Sequence, residues 1–84
     1  MSLLSIRVYK FNKEKTKRKL IDLKTWDNDQ QTKHVFNEAK DCCSCKFDDC
    51  QLEIELDELK GDVEETIDSF YITETSYNGI SKER

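Results

Sequence analysis

The chain has no proline, two glycines, one histidine and no long apolar run in its 84 residues. Each shortage removes a class of function. No stretch approaches the roughly 18 apolar residues of a membrane-spanning helix. The opening Met1 to Ile6 runs straight into Arg7, without the apolar region of about 7–15 residues that a secretory signal needs. A cytoplasmic location is therefore expected. Only Gly61 and Gly79 could open a glycine turn, so no glycine-rich loop can cradle a phosphate. Any Ser-His-Asp or Cys-His nucleophile system would have to use His34, and no serine stands in a nucleophile elbow. The chain reads as non-catalytic.

Apolar residues make up 36 % of the chain against about 45–50 % in ordinary globular domains, while charged residues reach 38 % against about 25 %. The length allows one domain. Aromatics at 10 % and several regular apolar patterns argue for a fold rather than disorder. The net charge of −4 hides a division: residues 1–40 carry +5 and residues 41–84 carry −9. Such a segregation means that the halves attract each other in the fold or that each faces a partner of opposite sign.

The apolar pattern predicts strands around one helix. In residues 3–11, Leu4, Ile6 and Val8 share one face and Leu3, Tyr9 and Phe11 the other, which marks a central strand. A polar turn over 12–17 leads to a second strand at 19–25, with Ile21 and Leu23 on one face, and the pair forms a hairpin with a basic tip. Asp27 as cap and Gln30 as capping-box partner start a helix that runs through Ala39 and buries Thr32, Val35, Phe36 and Ala39. Residues 42–50 read as an irregular loop. In 51–57, Leu52, Ile54 and Leu56 alternate with Glu53, Glu55 and Asp57, a half-buried strand with an acidic outer face. Lys60-Gly61-Asp62 forms a turn. Residues 66–75, rich in β-branched and aromatic side chains, favour a strand, although Val63, Ile67, Phe70 and Tyr71 also fit one face of a helix. The expected fold is a small α+β two-layer sandwich, ββαββ or alternatively ββαβα, with one helix on a mostly antiparallel, four-stranded sheet. The domain spans 1–79, with Tyr77-Asn78-Gly79 as a turn and 80–84 as a flexible tail.

Cys42, Cys43, Cys45 and Cys50 fall within nine residues. Cys42 and Cys45 have the spacing of two thiolates on one metal, Cys50 could add a third and His34 a fourth ligand, so a zinc-stabilised binding module is one reading. Crowding the ligands into one loop weakens it, since such a metal would order little else. A reducing compartment disfavours disulfides, which leaves ordinary thiols as the plain alternative.

Two further binding readings use opposite halves of the chain. Glu53, Glu55 and Asp57, about 6.6–6.8 Å apart along a strand face, continue into Glu58, Asp62, Glu64 and Glu65. This acidic set suits a basic, nucleic-acid-binding protein partner, which the chain would inhibit or modulate by imitating nucleic acid. An exposed edge strand could add strand pairing with a partner or a second copy. Direct nucleic-acid binding by Lys13, Lys15, Lys17, Arg18 and Lys19 is the weaker reading, because the acidic half repels the same ligand. In its short length, high charge and lack of proline the chain is similar in composition to small accessory proteins of phages and mobile elements, a likeness without a motif.

Overall fold

The computed structural model describes residues 2–82, and the side chains of residues 3–79. The chain folds as β1 (Ser2–Phe11), β2 (Arg18–Lys24), α1 (Asp29–Cys43), β3 (Ser44–Cys45), β4 (Leu52–Lys60), β5 (Val63–Ile72) and α2 (Glu74–Lys82), with a 3-10 turn at Phe47–Asp49. The α+β expectation holds. The sheet has five strands in the order β2-β1-β4-β5-β3, and every pairing is antiparallel. The fifth strand is the two-residue β3, from the segment expected to be a loop. Cys42 and Cys43 of that segment close α1.

β1 lies between β2 and β4, the central place that its two apolar faces predict. One sheet face carries Leu4, Ile6 and Val8 of β1, Leu52, Ile54 and Leu56 of β4, and Phe70 and Ile72 of β5. α1 covers this face through buried Thr32 and Phe36, with Val35 and Ala39 packed at its margin. The Phe36 ring meets Phe70 edge-on at 5.1 Å between centroids, a favoured geometry for aromatic quadrupoles. The helix begins one residue later than expected: Asn28, not Asp27, is the cap, and its Oδ1 accepts from the Gln30 N–H at 2.7 Å. Either residue type can cap.

Two turns are built by single residues. Asn12 organises the β1–β2 connection: its Oδ1 accepts from the Thr16 and Lys17 N–H groups, and its carbonyl accepts from Lys15 N–H. Gly61 opens the β4–β5 hairpin with φ +61°, the left-handed conformation that glycine adopts without steric cost.

The sheet departs from the predicted pattern at its edges. Between β1 and β2 the register shifts, so that Tyr9 faces Leu20 and Val8 faces Asp22. Ile21 becomes the extra residue of a β-bulge, and both Ile21 and Leu23 are exposed, because no strand among the described residues pairs with the outer side of β2. Residues 63–71 are strand, which removes the ββαβα alternative; β5 starts three residues before the predicted strand and stops at Ile72. Beyond it, Thr73 accepts the Ser76 N–H at its Oγ1 and the Tyr77 N–H at its carbonyl, which starts α2. Tyr77, Asn78 and Gly79, read as a turn, are helical. α2 continues to Lys82 through part of the expected tail, and residues 83 and 84 lie outside the described residues. No described helix is long and apolar enough to cross a membrane.

Phe36 is the one large side chain through which α1 fills the core, so Phe36→Ala should cost about 3–5 kcal/mol. Urea unfolding followed by circular dichroism measures it; a loss below about 1 kcal/mol would mean that α1 is not anchored here.

Candidate functional site

The face of the sheet opposite α1 holds the acidic row. Glu53, Glu55 and Asp57 do point away from the core, but they do not form an open acidic surface: Glu55 is 7 % and Asp57 2 % exposed. Arginines from the basic half lie over them. Arg18, at the start of β2, donates to Glu53 at 2.6 Å and also to Glu55. Its guanidinium stacks 3.9 Å from the centre of the Tyr9 ring, and hydrogen bonding to Glu55 pushes its pKa up. Arg7, from the middle of β1, donates to Glu64 at 2.6 Å and pairs with the second Glu64 oxygen as well, the two-pronged geometry that a guanidinium offers a carboxylate.

Asp57 is held less completely. Its Oδ1 accepts from the Thr66 hydroxyl at 2.8 Å. Its Oδ2 faces Arg7 Nε at 3.3 Å, yet neither atom completes a hydrogen bond. The contact is therefore Coulombic, between two groups withdrawn from water. Burial pushes the Asp57 pKa up, against the Thr66 hydrogen bond and the Arg7 charge that pull it down.

The remaining acids of the predicted set stay at the end of the sheet. Glu58 stands 3.4 Å from Lys60, and Asp62 and Glu65 are exposed with no ion pair among the described residues. The exposed aliphatic side chains Leu3, Leu59 and Val63 stand beside them, Leu3 directly opposite Leu59 in the β1–β4 ladder and Val63 opposite Lys60. This apolar component was not foreseen. Its signal was the hydrophobic residue at each strand end, where the sheet outruns the helix.

The zinc ligand set is not assembled. His34 is exposed on α1, its Nε2 3.0 Å from Glu38. Cys42 is bonded to Cys43, where ordinary thiols were the plain expectation. Cys50 is buried, and its thiol donates to the Phe47 carbonyl at 3.1 Å; burial pushes its pKa up. Among the described residues no three histidine, cysteine or acidic side chains are grouped to hold a metal ion.

The basic tip is engaged in part. Lys15, at φ +57°, donates to the Phe47 carbonyl at 2.6 Å, and its ammonium lies 5.1 Å from the centre of the Phe47 ring. Phe47 in turn packs on Phe11 and Tyr71. Lys13, Lys17 and Lys19 remain exposed. Comparison with family models, curated proteins and solved structures finds no match.

Two measurements test the arrangement. Arg7→Met keeps an apolar stem but leaves Asp57 buried beside no cation. At neutral pH it should cost about 2–3 kcal/mol, below the full value for a broken buried pair because Arg7 is partly exposed. A raised carboxyl pKa means that the ionised form opposes folding, so the penalty should shrink as pH falls and Asp57 takes up a proton. Urea midpoints at pH 7 and in the acid range read this out; an equal cost at both would remove Asp57 from the account. Secondly, Cys50 should resist iodoacetamide in the folded protein while Cys45, half-exposed, is alkylated. Peptide mass mapping with and without urea separates the two.

Proposed function

We propose that this chain is a small non-catalytic binding protein that docks on a basic surface of a protein partner and modulates it. The contact is the hairpin end of the sheet, with Leu3 opposite Leu59 on the open face, Val63, Glu58 and Glu65 on the other face, and Asp62 in the turn between them. The observation that supports this reading is the exposure of three aliphatic side chains, Val63 at 66 %, at one end of the sheet beside acids that arginines do not neutralise. An apolar centre with a charged rim is the usual composition of a protein contact. A net charge of −4 steers such a molecule toward a positive partner. Glu53, Glu55 and Asp57 are left out of the contact, because their charge is spent on Arg7 and Arg18, and imitation of a nucleic-acid backbone by that row is left out with them.

Affinity capture from cell extract tests the proposal, comparing the wild-type chain with the double variant Asp62→Lys, Glu65→Lys. Both positions are exposed, so the fold should survive, as amide exchange can verify. Basic proteins held by the wild type should fall about tenfold with the variant, the effect of setting like charges across an interface. Unchanged recovery would overturn the proposal.

A further inference from the structure

The two outer strands of the sheet are complementary to each other. β2 carries Arg18, Lys19 and Lys24 with Leu20, Ile21 and Leu23, and Asp22 as its one acid. β5 carries, over residues 63–69, Glu64, Glu65 and Asp68 with Val63 and Ile67 and no base. β3 covers β5 only at Tyr71 and Ile72, so the 63–69 stretch has no strand beyond it and matches the seven-residue length of β2. Lys17 and Lys19 on one side and Glu65 on the other enter no ion pair among the described residues.

Each edge also carries a bulge, and each bulge residue is isoleucine. Ile21 is 45 % and Ile67 48 % exposed, at the register shifts of β2 on β1 and of β5 on β4. A bulge turns an edge away from a partner and charge or proline completes the protection; this chain sets an exposed aliphatic side chain at both bulges. Alongside β2 runs a groove of about 540 Å³, lined by Lys10, Phe11, Lys17, Arg18, Lys19 and Ile21. Lys10 and Arg18 are held by Glu74, Glu53 and Glu55, as Glu64 and Asp68 are by Arg7 and Lys40. Among the described residues, Lys17 and Lys19 are therefore the groove cations left to face Glu65.

Strand direction permits the match. With β1 antiparallel to β2 and to β4, and β4 antiparallel to β5, β2 and β5 run in opposite senses. A second copy placed beside the first in the same orientation brings its β5 antiparallel to β2, which continues the alternation of the sheet. We propose that this chain assembles with copies of itself head to tail, the β2 edge of one molecule pairing with the 63–69 edge of the next. Such a contact is heterologous, so it propagates instead of closing at a dimer, and sheet twist turns the row into a helical one. It shares Val63 and Glu65 with the partner contact proposed above but is tested apart from it, because Ile21 and Ile67 lie outside that contact.

Sedimentation equilibrium from micromolar to millimolar protein tests it. The wild-type mass should rise with concentration without a plateau, and less steeply at high salt, which screens the edge charges. Ile21→Glu sets an acid against the acidic 63–69 edge and Ile67→Lys a base against the basic β2 edge, so each variant alone should stay monomeric. An equimolar mixture should associate again, because each variant retains the edge that the other lacks. A monomeric wild type, a variant that dimerises alone, or a mixture that stays monomeric would each overturn the proposal. Amide exchange checks that both variants fold, and Leu23→Glu and Val63→Lys block the same two edges should either variant unfold.

Discussion

The pairing of Arg7 and Arg18 with the carboxylates of β4 and β5 is the interaction on which the rest of the molecule depends. A sheet with one helix on one face leaves its other face uncovered. In this chain that face carries Glu53, Glu55 and Asp57 along one central strand, with Glu64 on the next. Unpaired, four carboxylates at sheet spacing would repel one another beside a low-dielectric core. Arginine suits the task better than lysine. Its planar fork engages both oxygens of Glu64, and in Arg18 it reaches two carboxylates while lying flat on Tyr9.

The charge division along the chain is thereby turned into contact. β1 and β2 bring the basic half, β4 and β5 the acidic half, and the sheet order sets them side by side. Lys10 with Glu74 and Lys40 with Asp68 extend the pairing to α2 and to the end of α1. Among the described residues of the sheet and its hairpins, charges without an ion pair stand at the margins, among them Asp62 and Glu65 at the β4–β5 hairpin and Lys13, Lys17 and Lys19 at the β1–β2 tip and the start of β2. The molecule is polarised across its sheet, and the surfaces available for recognition are edges and ends.

Period-2 alternation made the core legible, because Leu4, Ile6, Val8, Leu52, Ile54 and Leu56 all face α1 as their spacing requires. The helical stripe of Thr32, Val35, Phe36 and Ala39 was legible for the same reason. The bulges were not: an extra residue leaves no mark in an alternating pattern, and Ile21 reads as core until its pairing with β1 is seen. α2 was hidden because Thr73 and Thr75 prolong a β-branched run and Asn78-Gly79 resembles a turn, while the cap at Thr73 draws on Ser76. The acidic row was read to the correct face but with the wrong exposure. Alternation says which way a side chain points; it does not say what lies over it.

The cysteine loop and the basic tip make the same point about sequence-distant segments. Each suggested a ligand of its own, zinc for the cysteines and nucleic acid for the lysines. In the fold they meet. Lys15 donates to the Phe47 carbonyl, which also accepts the Cys50 thiol, and the Phe47 ring fills the space between Phe11 and Tyr71. The loop thus ties the hairpin tip to β5 across the end of the open face. Buried Cys50 acts there as a small apolar side chain with a weak donor, the ordinary role of a free cysteine in a core. Two features that look like binding motifs when read separately account for each other once the sheet brings them together.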